Sequence, residues 1–222
     1  MKRIIISDTH IGSKFYKREA LLEFLSSKQF DQLILAGDII DFIKIPLFTQ
    51  RCLEILKEIG KKRDVVYVIG NHDASLEGLV GTSLANIRFC KKYEFNEKNR
   101  EFRVEHGDRF STGFFHAATF VKIVSVFQDM LERWISFDLT SWLTRKLLKH
   151  HKLRGISAIM KSNDDVDVFI MGHTHIPEVV IWVHPDETIR TYVNTGDWVC
   201  HSTYVEITDG VVRLKTFKDS LE

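Results

Sequence analysis

The chain reads as an α/β protein, and three features of its sequence carry that reading. Short β-branched runs alternate with longer amphipathic stretches through its first third. Each of those runs ends in a cluster of Asp, His, Asn or Gly, and a further series of strand-like runs follows Val166. Such alternation builds parallel strands, because a parallel pair needs a crossover connection that a helix supplies.

In order, RIIIS, QLILAG and VVYVIG read as strands, and REALLEFLSSKQF and LFTQRCLEILKEIG as the helices between them, a βαβαβ unit. Strands so continuously apolar should be buried on both faces. Between Asn86 and His106 lie two more short apolar runs, IRFC and EFRVEH. From Val166 onward DVFIMG, EVVIWV, TYVNTG, TYVEI and VVRLKTF read as successive strands, several antiparallel by their close spacing, and they predict a second sheet. Residues 110–163 contain no convincing strand. Their polar positions recur every three or four residues among Phe, Val, Ile, Leu and Trp, which predicts a helical insertion within a single domain spanning 1–222.

A length of 222 residues suits one domain that carries a sizeable insertion, and 44% hydrophobic with 27% charged residues is globular composition. Lys and Arg number 31 against 30 for Asp and Glu, so no global field recruits nucleic acid or anionic membrane. Cys52, Cys90 and Cys200 are widely spaced without a CxxC, which predicts neither a disulfide framework nor a thiolate zinc site. No signal-peptide architecture or bilayer-length apolar run is visible, so a cytoplasmic location is expected, at most peripheral on the inner face of the membrane.

The polar clusters carry the chemistry. Asp8 and His10 follow the first strand; neighbours i and i+2 share a side while the backbone stays extended, so the pair is expected to reach one ion from the strand's end. Gly37 and Asp38 follow the second strand, and a carboxylate with two oxygens can bridge two cations. Gly70, Asn71, His72 and Asp73 follow the third; Asn71 is either a turn former or a neutral oxygen ligand for a hard ion. His106 in HGD and the pair His173 and His175 in GHTH complete the set. Ligands reach the crevice beyond the carboxyl ends of such strands.

The clusters SDTH, GDIID, GNHD, HGD and GHTH match, in sequence and order, the signature of the calcineurin-like metallophosphoesterases, which the chain resembles from Asp8 to about Asp197. The resemblance implies a four-layer αββα sandwich of two mixed sheets, with the site at strand ends between them. It also implies a ligand set: Asp8, His10, Asp38 and His175 for one ion, and Asp38, Asn71, His106 and His173 for the other. Two divalent cations would share a water whose pKa falls from near 15.7 towards about 7, giving a hydroxide nucleophile. His72 is the expected general acid, and Asp41 resembles its orienting partner, the alternative being a solvated loop acid. Asp73, Asp108 and Asp197 are secondary candidates that orient ligands or cap helices. Mixed oxygen and imidazole donors suit manganese, iron, zinc or nickel, with manganese favoured by resemblance.

Within the family, the phrases HGDRF, GHTHIPE, NTGDWV and TYVEI resemble the bacterial UDP-2,3-diacylglucosamine pyrophosphohydrolases of lipid A synthesis. A small-molecule or lipid-linked phosphoester substrate is therefore expected, with no nucleic-acid partner. The apolar insertion would either shelter acyl chains or pack upon itself. From Leu139 to Asn163 there is no acid, while basic residues gather; Arg145, Lys149 and Lys152 are candidate substrate contacts, or else a solvated helix face. The best-known branch of those enzymes carries Arg where this chain has His72. The alternatives are a broad-specificity phosphodiesterase or phosphatase for small phosphoesters, then a nuclease, then a non-catalytic metal-binding scaffold.

Overall fold

Three strands open the chain, β1 (Lys2–Ile6), β2 (Gln32–Ala36) and β3 (Val65–Val68), and all three pair in parallel. Helix α1 (Arg18–Ser27) makes the first crossover, and α2 (Gln50–Gly60) lies in the second. The computed structural model describes residues 1–13, 15–42, 50–62, 64–110, 159 and 166–218. Alternate side chains of these strands serve two cores. Ile4, Ile6, Leu33, Leu35, Val65 and Tyr67 point towards the helices, where they meet Leu21, Phe24, Leu25, Ile55 and Ile59. Ile5, Ile34, Val66 and Val68 point the other way, into the core between two sheets. That double burial is why the runs are apolar throughout.

Beyond β3 the chain forms β4 (Ser83–Leu84) and β5 (Ile87–Cys90), with β5 parallel to β3. It then crosses into a second sheet through the antiparallel pair β6 (Lys92–Glu97) and β7 (Arg100–Glu105). The sequence reading passed over β4 and β6: β4 is two residues long, and β6 alternates charged with aromatic side chains. The later strands are β8 (Val168–Met171), β9 (Glu178–Val183), β10 (Ile189–Asn194), β11 (Thr203–Thr208) and β12 (Val211–Thr216).

The expectation that these five share one sheet needs correction. β8, β9 and β10 join β6 and β7 in the order β6-β7-β8-β10-β9, whereas β11 and β12 return to the first sheet, giving β12-β11-β1-β2-β3-β5-β4. β11 pairs antiparallel with β1. The physical reason lies in β1: Ile4, Ile5 and Ile6 are fully buried and leave no face or edge for water, so β1 must be central. Both sheets are mixed, as the resemblance implies, and their facing sides enclose Ile5, Ile34, Val66, Phe102, Val104, Val168, Ile170 and Val193. The chain divides into two compact units, Met1–His106 with Asp164–Glu222, and Gly107–Asn163. Most of the second unit lies outside the described residues, and with it the expected helical insertion over 110–163 and the candidates Arg145, Lys149 and Lys152.

One aromatic cluster links the core to the strand-end loops. Phe24 of α1 packs against Trp198 and Tyr204, ring centroids 4.8 Å away in each case, and against Phe217 at 5.3 Å. Trp198 is fully buried, and its backbone N–H donates to the Asp8 carbonyl at 3.1 Å. Truncation of Phe24 to Ala empties the centre of this cluster. It should cost about 3–5 kcal/mol, read from urea denaturation followed by circular dichroism.

Candidate metal centre

Each candidate ligand follows a strand's carboxyl end, and most sit in an uncommon backbone conformation. β1 ends at Ile6, and Asp8 and His10 lie in the loop beyond it with φ of 50° and 45°. The expected extended backbone is therefore wrong, because left-handed residues rather than strand pleating aim this pair. Asp38 (54°), His173 (65°) and His175 (59°) share the conformation. The sequences DTH and HTH form the same device, two left-handed residues flanking a threonine. Each threonine is tied down: the Thr9 hydroxyl donates to the Ile39 carbonyl at 2.8 Å, and Thr174 accepts from the Asn194 amide at 3.0 Å. A left-handed L-residue costs about 1–2 kcal/mol, so five of them persist because the surrounding structure holds them. Part of that hold is backbone lacing, with Asp8 N–H on the Gly37 carbonyl and His10 N–H on the Asp38 carbonyl, both at 3.1 Å.

Two glycines let the loops close up. Gly37 has φ +84°, and a Cβ there would strike the His106 ring. A Cβ on Gly172 would strike the Asp8 carboxylate and the Ser7 hydroxyl. Both absences let a ring or carboxylate meet bare backbone.

The structure brings all seven candidate ligands together. Asp8, His10 and His175 form one group, and Asp38, His106 and His173 another, with ligand-capable atoms within 4.8 Å of one another in each. In the first, His175 Nε2 lies 3.3 Å from Asp8 Oδ1 and 3.4 Å from His10 Nε2. In the second, His106 Nε2 lies 3.1 Å from Asp38 Oδ2, 3.1 Å from Asn71 Oδ1 and 3.2 Å from His173 Nδ1. Asp38 also groups with His10 and His72, so it stands between the two clusters.

Neighbouring groups fix which atoms face inward. His106 Nδ1 donates to the Ala36 carbonyl at 3.1 Å, which leaves Nε2 with its lone pair. His72 Nδ1 lies 3.2 Å from Asp41 Oδ1, which leaves its Nε2 for another partner. Asp41 is 2% exposed, not a solvated loop acid, and it also lies 3.8 Å from His10 Nδ1. Asp73 heads a 3-10 helix, Ala74–Leu79, without capping it. Its carboxylate turns back to accept from Gly70 N–H at 2.5 Å, Ile39 N–H at 3.0 Å and the Tyr67 hydroxyl at 2.7 Å. Asp108 stands in a separate 3-10 turn, Asp108–Phe110.

Asp197 contributes more than a secondary candidate would. Its Oδ1 accepts from the backbone N–H groups of Val199, Cys200 and His201, and its Oδ2 lies 3.4 Å from His175 Nδ1 and 3.1 Å from His201 Nδ1. Ser7 and His201 escaped the sequence reading altogether. The Ser7 hydroxyl donates to Asp8 Oδ2. The usable signal was NTGDW, one more polar cluster following an apolar strand.

Charges in the pocket respond to this crowding. Burial opposes ionisation of Asp38, but His106, His72 and His10 hold its carboxyl well below the usual carboxylate range. Burial and the neighbouring His106 push the His173 ring down to about 3, so it is neutral with a lone pair to offer. Burial also opposes charge on His175, yet Asp8 and Asp197 outweigh it and raise the ring to about 9. For His72, Asp38 and Asp41 likewise outweigh burial and raise its pKa.

These residues fit divalent cations. Asp8 Oδ1 is buried and accepts no hydrogen bond, and it faces a ring nitrogen of His175. A buried anionic oxygen without a donor is costly unless a cation meets it. The donor set is hard oxygen plus imidazole nitrogen, which suits first-row divalent ions.

Comparison with known proteins agrees. The family model for calcineurin-like phosphoesterases matches residues 1–177, and the chain belongs to that family. Its fold is similar to that of YfcE, a phosphoesterase from E. coli, at 16% identity and a TM-score of 0.53 over 98% of this chain and 93% of that one. An archaeal phosphodiesterase aligns at 15% identity and a TM-score of 0.46, covering 97% and 99% of the two chains. Zinc-complexed Vps29 from Entamoeba histolytica aligns at 15% identity and a TM-score of 0.43, covering 97% of each. A search of curated proteins finds no match.

Gly172→Ala should disrupt the centre without unfolding the chain, because its Cβ displaces Asp8 and Ser7. Thermal unfolding within a few degrees of wild type, with weakened uptake of divalent cations in calorimetric titration, is the expected pair of results.

Proposed function

We propose that this protein hydrolyses a phosphoester or phosphoanhydride at a two-cation centre. Asp8, His10, Asp38 and His175 would hold one ion, and Asp38, Asn71, His106 and His173 the other. The convergence of seven donors from five separate strand-end loops is the observation that carries this reading. When bound, such cations acidify water towards neutral pH and neutralise phosphoryl charge. The chain's own part is positional. Asp41 holds the His72 ring by Nδ1, so that Nε2 can pass a proton to the leaving oxygen. His72 N–H donates to Asp38 Oδ1 at 2.8 Å, which ties the acid's position to the carboxylate between the two clusters.

The preferred substrate is UDP-2,3-diacylglucosamine or a similar lipid-linked or sugar-nucleotide diphosphate, supported by the phrases HGDRF, GHTHIPE and NTGDWV. His72 in place of Arg favours the second reading, a broad phosphodiesterase or phosphatase for small phosphoesters. Manganese is the proposed metal. A cytoplasmic location, with peripheral membrane contact through residues 110–163, accords with the substrate. Among the described residues no helix is long and apolar enough to cross a membrane.

Manganese-loaded protein should be offered UDP-diacylglucosamine, bis-p-nitrophenyl phosphate, nucleotides and single-stranded DNA, with Asp38→Ala as control. Selective release of UMP supports the lipid substrate; general diester cleavage moves the assignment to the second reading; no turnover with manganese, iron, zinc or nickel removes the enzyme. His72→Ala should lose about 10²–10⁴-fold on poor leaving groups and much less on p-nitrophenolate, which leaves without a proton. Equal losses on both would withdraw its role as acid.

A further inference from the structure

The loop that carries Asp38 and the loop that carries Asn71 and His72 press closely together at Gly70, where a Cβ would strike both the carboxylate and the backbone nitrogen of Asp38. Across that contact the two loops exchange hydrogen bonds through their carboxylates. Asp38 Oδ1 accepts from His72 N–H at 2.8 Å, and Asp73 Oδ2 accepts in return from Ile39 N–H at 3.0 Å. Asp73 Oδ1 accepts from Gly70 N–H at 2.5 Å. One carboxylate therefore holds the residue after Asp38 and the residue before Asn71.

That carboxylate is itself anchored to the sheet. Tyr67 of β3 donates its hydroxyl to Asp73 Oδ2 at 2.7 Å, and its ring stacks on Phe89 of β5 with centroids 5.4 Å apart. Tyr67 is 3% exposed and Asp73 fully buried, so bulk water does not compete for these bonds. Among the described residues the Asp73 side chain bonds only to Tyr67 and to backbone N–H groups, not to any candidate ligand side chain. Its effect on the centre must pass through the two loops. What they carry is paired at the site: Asp38 Oδ2 and Asn71 Oδ1 each lie 3.1 Å from His106 Nε2.

We infer that Tyr67 and Asp73 are positioning residues that set the spacing of Asp38 and Asn71, and through it the affinity of the cluster of Asp38, Asn71, His106 and His173 for its cation. Groups behind a ligand that fix its orientation govern metal affinity in this way. The other cluster has braces of its own, Asp41 at His10 and Asp197 at His175, and its remaining ligand Asp8 lies in the β1 loop. The Tyr67 bond therefore acts chiefly on one of the two cations. The inference rests on the two-cation reading and deepens it, since residues that touch no metal decide whether the centre holds two ions or one.

The test is calorimetric titration of the full-length protein, stripped of metal, with manganese. Tyr67→Phe keeps the ring and its stacking on Phe89 and removes only the hydroxyl. It should weaken one of two binding steps by about tenfold, the lower end of the loss for a partner behind a metal ligand, and leave the other within about twofold. Asp73→Asn should weaken the same step. Added to Asn71→Ala, Tyr67→Phe should cost that step little more; added to His10→Ala, it should cost the full tenfold again, because residues acting on one ligand are non-additive and independent ones add. Equal weakening of both steps, or a tenfold loss that persists in Asn71→Ala, would mean that the pair only supports the fold and would overturn the assignment. Unchanged manganese affinity in Tyr67→Phe would overturn it as well. Wild-type protein that binds one manganese or none would instead remove the two-cation reading, and the inference with it.

Discussion

Buried negative charge is the constraint on which the rest of this structure depends. Asp8, Asp38, Asp41 and Asp197 are all at most 2% exposed, and all gather at the carboxyl ends of strands. Carboxylates taken out of water at such density need compensation from hydrogen bonds, protonated imidazole or bound cations. The chain supplies the first two generously: backbone N–H groups to Asp38 and Asp197, and rings to Asp41 and Asp38. It withholds a donor from Asp8 Oδ1. That oxygen, which accepts no hydrogen bond and lies 3.3 Å from the His175 ring, is where the fold leaves a place for a cation.

Holding these groups requires local strain, and the core is arranged to sustain it. Left-handed residues at five candidate ligand positions each cost about 1–2 kcal/mol, so the loops would relax without outside support. Support comes from interlocking rather than from any one contact. The β1 loop is laced to the β2 loop by backbone hydrogen bonds, Trp198 joins Asp8 to the aromatic cluster beneath α1, and Asp73 draws Tyr67, Ile39 and Gly70 into one buried knot. Packing far from the pocket is in this sense part of the pocket. Mutations in the Phe24 cluster and mutations at the candidate metal ligands should therefore share some of their consequences.

Asp41 and Asp197 give the centre a near-symmetry that neither motif spelling nor strand order reveals. Each carboxylate braces one inward ring by Nδ1 and one ring near solvent. The inward rings, His10 and His175, stack with centroids 5.2 Å apart, which places both braces around one cluster. The outward rings, His72 and His201, are the more exposed members of each pair.

Much of this was legible in the residues themselves. Periodicity fixed the βαβαβ start because apolar side chains on both faces of β1, β2 and β3 leave no other placement, and the five motifs offered the candidate ligands in order. Local sequence by itself thus determined which side chains are available and which strands deliver them. Only the tertiary structure decided that β11 returns to β1 while β10 lies beside β8, since strand partners depend on distant backbone edges. Only it showed left-handed turns where an extended backbone was expected, and only it brought Asp197 and His201 to His175. Those contacts join residues far apart in the chain, and no local pattern encodes a meeting that the packing of two sheets creates.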